Sequence, residues 1–185
     1  VAQDFVELPS QIMEHWAVEP EVLKLYAKHY ETREVIPDEL ITKIQNQGTF
    51  NQGFMTTELL AAALLDMELH NLTDTENLNV VAFEKETMDK LGLIPEIAPR
   101  YRATYFSHII GGYAAGYYSY LWAEVLDTDA FEAFKEHGVF DKNTADSFRK
   151  NILEKGGTED PMTLYRGFRG ADPSLEPLLK NRGLK

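Results

Sequence analysis

Apolar side chains recur at helical spacing along most of this chain, and no segment keeps the strict alternation of a half-buried strand. The pattern is clearest between positions 57 and 70, where the apolar residues fall on one face of a helix. The residues of that face are Leu59, Leu60, Ala63, Leu64 and Met67. We therefore expect an all-α protein with this face in its core.

Proline and glycine mark the ends of further helices. Pro37 lies in the first turn of one predicted helix and Gly48 directly after its last residue, as is typical of helix boundaries. The predicted helices cover residues 20–31, 37–47, 57–70, 78–91, 129–137, 144–154 and 175–181. Residues 105–125 form a long apolar and aromatic stretch that Gly111 and Gly112 interrupt. Because no segment has the composition of a linker and no repeat occurs, we expect one all-α domain over residues 1–185.

The negative net charge of the chain makes some classes of binding partner unfavourable. The chain carries 18 Lys and Arg against 30 Asp and Glu, a formal net charge of -12, which opposes binding to nucleic acids and to anionic membranes. No apolar run approaches the roughly 18 residues of a membrane span. The absence of cysteine excludes disulfides and thiolate metal sites.

The first candidate site residue is Glu7, in the segment Asp-Phe-Val-Glu-Leu-Pro-Ser-Gln at positions 4–11. Asp4 followed by Glu7 three residues later has the spacing of a helix-capping box. Pro9 opposes that register, because it removes a backbone donor just inside the helix. The residues alone leave two hypotheses open, a capping pair and a functional carboxylate.

A histidine and three tyrosines form the second candidate site. If the chain after position 112 is helical, Tyr113, Tyr117 and Tyr120 lie within about 60° of one face. Aromatic residues at this spacing most often belong to a core. Three phenols on one face, with His108 before the paired glycines, would also form a hydrogen-bonding wall. Such a wall suits a peptidase, which needs donors for the oxyanion and for the substrate backbone or its C-terminal carboxylate.

Asp66 and His70 stand four residues apart, a spacing at which two side chains of a helix could share a metal ion. Two ligands do not make a zinc site, so we interpret the pair as part of a solvated helix face. Glu7 and His15 would be about 12 Å apart along a helix, too far to share one ion. The sequence contains no GxSxG motif, no P-loop and no dinucleotide fingerprint.

Three segments carry a resemblance to a known family. Residues 4–16 resemble the segment that follows the HExxH helix in zinc peptidases of the M3 family. Residues 108–122 resemble the His…Gly-Gly-Tyr…Tyr…Tyr segment of that family, and residues 160–184 are similar to the ending of its peptidyl-dipeptidase branch. The likeness extends over essentially the whole chain, with the motifs in the order and spacing of the family.

The resemblance implies an all-α fold, the C-terminal portion of the helical catalytic lobe of a neurolysin-like zincin. It implies that Glu7 is a ligand of a catalytic zinc ion. It implies catalytic roles for His108, Tyr113 and Tyr120 in stabilising the tetrahedral intermediate, and substrate binding by Tyr117, Tyr113 and His108. The implied function is hydrolysis of short peptides with release of C-terminal dipeptides. Internal cleavage is the alternative within the family.

The HExxH motif, which supplies two zinc ligands and the general base in that family, does not occur in these 185 residues. One carboxylate cannot replace a set of three protein ligands. We therefore expect the chain alone to bind no zinc tightly and to be inactive, with the remainder of its catalytic domain as its partner. Surfaces that pack on that remainder should be apolar and exposed, which favours self-association of the isolated chain.

Two hypotheses from other classes stay open on the residues alone. One is a helical peptide-binding module that keeps a groove lined by tyrosines without catalysis. The other is a helical interaction protein with no catalytic or ligand-binding site. Tyrosines scattered through the core would support this hypothesis. An unrelated domain encoded upstream of Val1 would favour the module. We expect a cytoplasmic location, with the periplasm as the alternative.

Overall fold

The computed structural model describes all residues, 1–185, and its regular structure is helical. No strand forms, and extended backbone pairs only at an isolated antiparallel bridge between Lys28 and Val35. The α-helices are α1 Leu8–Trp16, α2 Pro20–Tyr26, α3 Asp38–Gln47, α4 Gln52–His70, α5 Val80–Lys90, α6 Ser119–His137, α7 Lys142–Phe148, α8 Pro161–Arg169 and α9 Glu176–Asn181. A 3-10 turn spans Ser107–Ile110, and a π-helical turn at Arg149–Leu153 continues α7. The expected all-α fold class is confirmed.

The chain forms two compact units. The first comprises Val1–Phe50 with Trp122–Lys185, and the second comprises Asn51–Leu121. A single all-α domain over residues 1–185 stays a prediction. No helix is both long enough and apolar enough to cross a lipid bilayer.

Most predicted helices agree with the structure in place. The predictions at 37–47, 78–91 and 175–181 match α3, α5 and α9 to within two residues. The prediction at 144–154 covers most of α7 and the π-helical turn. In α5, the Asn79 side chain accepts a hydrogen bond from the Ala82 N–H at 3.1 Å, so a cap fixes the start of the helix.

α2 is shorter than the predicted helix at residues 20–31. Ala27 leaves the helix for extended backbone, with ψ 99°. The His29 N–H donates to the Glu34 carbonyl at 2.8 Å, and the Ile36 N–H donates to the Ala27 carbonyl at 2.9 Å. These bonds close a short turn of the chain, and the turn uses the backbone groups that a longer helix would need.

α6 is longer than expected, and α8 is absent from the sequence prediction. The predicted helix at 129–137 is the second half of α6, which runs unbroken through nineteen residues. In α8 the Asp160 carboxylate accepts a hydrogen bond from the Thr163 N–H at 2.9 Å, and Pro161 occupies the first turn. Gly170 ends α8 at φ 82°, a left-handed conformation that favours glycine.

The core of the first unit combines side chains from α1, α6, α7, the π-helical turn and α8. Its buried members are Phe5, Leu8, Ile12, Leu126, Ala130, Phe131, Phe134, Phe148, Ile152, Leu164 and Tyr165. Trp16 packs edge-on against Phe131 and Phe134, with ring centroids 4.6 Å from each. Its indole N–H donates to the Val139 carbonyl at 2.8 Å, so the ring packs on the core with its one donor satisfied.

In the second unit, Leu59 and Ala63 of the expected α4 face lie against or in the core, but most of the buried α4 residues lie outside that face. Its buried residues are Ala61, Ala62, Ala63, Leu65 and Asp66. Leu60, Leu64 and Met67 are 38%, 42% and 37% exposed, so the prediction that they face the core is wrong. Ala62 and Ala63 are buried instead, because their small side chains allow α4 to approach Phe106 and Tyr117 closely. We call Leu60, Leu64 and Met67 the α4 apolar stripe.

Candidate functional site

The tyrosine-bearing segment is a series of turns before α6 and not a helix. After the 3-10 turn, residues 111–118 have no regular helix, so Tyr113 and Tyr117 lie outside α6 and only Tyr120 lies within it. The Tyr113 N–H donates to the His108 carbonyl at 3.2 Å, and the Gly116 N–H donates to the Tyr113 carbonyl at 2.9 Å. The expectation of a helix after position 112 is therefore wrong, because these local turns reverse the chain first.

The turns nevertheless bring all four expected side chains together. Tyr113 and Tyr120 stack with ring centroids 5.1 Å apart and an interplanar angle of 10°. Tyr117 stands edge-on to Tyr120 at 5.2 Å, and His108 stands edge-on to Tyr117 at 5.2 Å. We call these four residues the histidine–tyrosine cluster. Its rings pack at distances typical of favourable aromatic pairs.

Burial differs within the histidine–tyrosine cluster. Tyr117 is 3% exposed, whereas His108, Tyr113 and Tyr120 are half-buried. The Nδ1 atom of His108 is buried and has no hydrogen-bond partner in the protein. A buried polar atom without a partner is unfavourable, so this nitrogen carries an energetic penalty in the structure. The cluster therefore combines three partly exposed side chains with one buried nitrogen that lacks a partner.

Arg100 supplies a positive charge beside the histidine–tyrosine cluster. Its Nη2 and Nε atoms donate to the Glu58 carboxylate at 3.2 and 3.3 Å, and its guanidinium also hydrogen-bonds the Tyr117 phenol. Burial raises the pKa of Tyr117, and the hydrogen bond from Arg100 offsets only part of that rise. Tyr117 is therefore a neutral phenol near pH 7. Arg100 has no motif of its own in the sequence that would have singled it out.

Asp66 is a second residue whose role the sequence interpretation missed. It is 0% exposed, which makes the predicted solvated helix face wrong. Its Oδ1 accepts from the Ala115 N–H at 3.0 Å and its Oδ2 from the Tyr117 N–H at 2.9 Å. His70 Nδ1 lies 2.9 Å from Asp66 Oδ1. Asp66 therefore satisfies backbone donors of the turn that carries Tyr117.

Glu7 lies in the first unit, directly before α1. It is half-buried, and its Oε2 accepts a hydrogen bond from Ser10 Oγ at 2.6 Å. The helix starts at Leu8, and Glu7 makes no side-chain capping bond, so the hypothesis of an Asp4–Glu7 capping box is wrong. Pro9 within the first turn explains the later start, because proline fits there without losing a helical hydrogen bond.

No group of three or more His, Cys, Asp or Glu side chains in the structure is placed to hold a metal ion. A catalytic zinc ion normally has three protein ligands. The donor set of this chain therefore does not fit a complete zinc site by itself. Glu7 can contribute one carboxylate and no more.

A separate cleft of about 820 Å³ opens in the first unit next to α1 and α6. His15 Nε2 lies 2.6 Å from Asp127 Oδ1 there, and the imidazole stacks on Phe131 with ring centroids 4.8 Å apart. Burial raises the pKa of Asp127 to about 6, and the hydrogen bond to His15 opposes that rise. Asp127 therefore titrates in the mildly acidic range.

Comparison with known proteins places these features in context. A family model described as "Peptidase family M3" matches residues 1–184. Dipeptidyl carboxypeptidase of Escherichia coli is 47% identical over 98% of this chain and 27% of its own length. Oligopeptidase A of Escherichia coli is 41% identical over 100% of this chain and 28% of its own length. A "Probable cytosolic oligopeptidase A" of Arabidopsis thaliana is 41% identical over 98% and 27%. The chain thus spans about a quarter of the length of these relatives.

Proposed function

Because the chain belongs to peptidase family M3, we propose that it is the C-terminal part of a zinc-dependent peptidase that hydrolyses short peptides. The observation that carries the proposal is the family match over residues 1–184, within which the histidine–tyrosine cluster forms. The relative named dipeptidyl carboxypeptidase, at 47% identity, favours release of C-terminal dipeptides over internal cleavage. The relative named as cytosolic favours a cytoplasmic location.

In this proposal the histidine–tyrosine cluster binds the peptide and stabilises the tetrahedral intermediate. His108, Tyr113 and Tyr120 are half-buried, so part of each side chain remains exposed to a substrate. Phenol and imidazole donors lower the energy of the negative charge that develops on the attacked carbonyl oxygen. Tyr117, Tyr113 and His108 hold the substrate backbone in this proposal.

Zinc is proposed as the cofactor of the whole protein, with Glu7 as one ligand. Since no set of three metal-binding side chains assembles within this chain, the other ligands must come from the rest of the catalytic domain. That remainder is the proposed partner of the chain. We propose that residues 1–185 alone do not cleave peptides, even with added zinc.

The test uses the full-length protein that contains this chain and a quenched fluorescent peptide with a free C-terminus. Glu7→Gln should abolish cleavage and also lower the zinc content measured by elemental analysis, because an amide is a poorer zinc ligand. Tyr120→Phe should lower kcat by about 100-fold, the usual cost of losing one oxyanion donor. Mass spectrometry of the products should show dipeptides released from the C-terminus.

Two matched controls separate these effects from general damage. Glu39→Gln removes a carboxylate that is 78% exposed and pairs only with Lys43, and Tyr105→Phe removes a phenol on a side chain that is 61% exposed. Both variants should keep full activity. A Glu7→Gln protein with normal zinc content and activity would refute the ligand assignment. A full-length protein without any chelator-sensitive cleavage would refute the peptidase and leave a peptide-binding module.

A further inference from the structure

Backbone hydrogen bonds within the turn from Tyr113 to Tyr120 span three residues, and they leave the N–H groups of Ala115 and Tyr117 without a backbone acceptor. Ala115, within it, has φ 51°, a left-handed conformation that residues with a Cβ rarely adopt. The two glycines at positions 111 and 112 add freedom on its N-terminal side. Something outside the turn must therefore hold it in one conformation.

Asp66 provides that hold from a rigid element. It lies in α4, a helix of 19 residues, and its carboxylate is 0% exposed. One oxygen accepts the N–H of Ala115 at 3.0 Å and the other accepts the N–H of Tyr117 at 2.9 Å. The two bonds reach across 49 and 51 residues of sequence, so they are tertiary contacts and not part of a local turn motif.

The two-oxygen arrangement fixes both position and conformation. A buried carboxylate needs strong partners, and here two backbone N–H groups donate to it, while His70 Nδ1 lies 2.9 Å from both Asp66 Oδ1 and the Asp66 carbonyl oxygen. Because each oxygen takes a different N–H, the peptide units that contain the N–H groups of Ala115 and Tyr117 are both held relative to α4. Those peptide units carry the Tyr117 side chain and lead directly into the helical turn that carries Tyr120.

We infer that Asp66 is a positioning residue of the peptidase, because its carboxylate fixes the turn that presents Tyr113, Tyr117 and Tyr120. This inference rests on the proposed role of the histidine–tyrosine cluster. Asp66 itself touches neither substrate nor metal. Its contribution is preorganisation: phenol donors act on a transition state only when they are held within a fraction of an ångström of the productive geometry.

We expect Asp66→Asn to lower kcat, to leave KM nearly unchanged, and to weaken the effect of Tyr120→Phe on kcat. In the full-length protein, Asp66→Asn keeps the size of the side chain but replaces one acceptor oxygen by an NH2 group that cannot accept an N–H. We expect kcat per active site to fall by about 100-fold, the effect of a misplacement near 1 Å, with KM changed by less than about threefold. The active fraction is fixed by titration with a tight-binding inhibitor.

Double substitution separates positioning from general stability. In the Asp66→Asn background, Tyr120→Phe should lower kcat by less than about threefold, because a misplaced phenol already contributes little to transition-state stabilisation. If Asp66 only stabilised the fold, the factor for Tyr120→Phe would be the same in both backgrounds. Glu84→Gln is the matched control, since Glu84 is 4% exposed and accepts the Ala103 N–H at 2.7 Å in the same unit. It should lower thermal stability and leave kcat per active site and the Tyr120→Phe factor unchanged.

The outcomes distinguish the inference from the proposed function. If Tyr120→Phe has no effect in the wild-type background, the role of the cluster fails and the inference falls with it. If Tyr120→Phe lowers kcat by about 100-fold in the wild-type background and by the same factor in the Asp66→Asn background, only the positioning role is overturned. Should circular dichroism show Asp66→Asn to be unfolded, His70→Ala replaces it. That variant removes one partner of the carboxylate from a side chain that is 34% exposed. It should lower kcat and weaken the Tyr120→Phe factor, and unchanged values would overturn the inference.

Discussion

Tyr165 offers a sharp test of the first unit, because its ring and its hydroxyl have separable roles. The side chain is 0% exposed, and its hydroxyl lies 2.6 Å from Asp129 Oδ2 and 3.2 Å from the Leu126 carbonyl. Burial, followed by the Asp129 carboxylate, raises the pKa of Tyr165, so the hydroxyl stays a donor across the neutral range. Tyr165→Phe keeps the ring and removes only this donor.

The expected loss follows from what the hydroxyl leaves behind. Asp129 is 5% exposed and would keep Arg169 Nε at 3.5 Å as its remaining partner. A hydrogen bond to a charged group contributes about 1.5–3 kcal/mol, and phenylalanine keeps the ring and vacates only the space of the hydroxyl oxygen. We therefore expect Tyr165→Phe to lower the free energy of unfolding by about 2 kcal/mol. With a urea m-value of about 2 kcal/mol/M, the midpoint falls by about 1 M.

Tryptophan fluorescence during urea unfolding measures this loss selectively. Both tryptophans, Trp16 and Trp122, belong to the first unit, so their emission follows the unit that contains Tyr165. Tyr26→Phe is the matched control. Its hydroxyl also donates a short bond, to the Ala17 carbonyl at 2.6 Å, but its side chain is 59% exposed and water replaces the bond. The control should change the free energy of unfolding by less than about 0.5 kcal/mol.

Two results would refute the reasoning on Tyr165. One is a Tyr165→Phe protein that unfolds within about 0.5 kcal/mol of the wild type, which would mean that Arg169 satisfies Asp129 alone. The other is an equal loss in Tyr26→Phe, which would mean that burial does not set the strength of the bond. A double-mutant cycle of Tyr165→Phe with Asp129→Asn should show coupling of about 1 kcal/mol or more.

Two further predictions concern pH and association. Because burial raises the pKa of Asp127 from 3.8 to about 6, the folded state holds an extra proton between these values, so this group's share of stability falls as pH rises through that window. Urea midpoints of the wild type, compared with those of Asp127→Asn, should show this fall between about pH 4 and pH 7, and parallel pH profiles would contradict it. The isolated chain should self-associate through the α4 apolar stripe, and Leu60→Glu combined with Leu64→Glu should shift it toward monomer in sedimentation velocity. Leu25→Glu, at a side chain that is 65% exposed on α2, is the control, and a monomeric wild-type chain would refute the prediction.

Local signals in the sequence predicted the helices whose ends carry proline, glycine or a capping residue. α3 follows Pro37 and ends before Gly48, and its boundaries match to within one residue. α8 has equally good signals in Asp160 and Gly170, but Gly167 inside it weakened the helical pattern. α2 ended early because backbone bonds of the following turn, which no periodicity reveals, compete with the helix.

The sequence predicted that the histidine–tyrosine cluster comes together, but it did not predict the geometry of the cluster. The spacing of Tyr113, Tyr117 and Tyr120 predicted that they meet, and they do meet, but through turns and not along one helix face. Arg100 joins them from a segment without any signal of its own. Local rules treat a carboxylate on a helix as solvated, and the partners of Asp66 lie about fifty residues away.

The misplaced core face of α4 and the missed role of Asp66 have one physical cause. An irregular turn cannot satisfy its own N–H groups, so the helix beside it must come close and bring an acceptor. Close approach requires small residues, and Ala62 and Ala63, 0% and 7% exposed, provide them on the side that meets Phe106 and Tyr117. Leu60, Leu64 and Met67 are consequently left exposed as the α4 apolar stripe, whereas Leu65 is buried beside Met88. A hydrophobicity pattern ranks leucine above alanine for burial, and here the need to approach and hydrogen-bond an aromatic turn reverses that order.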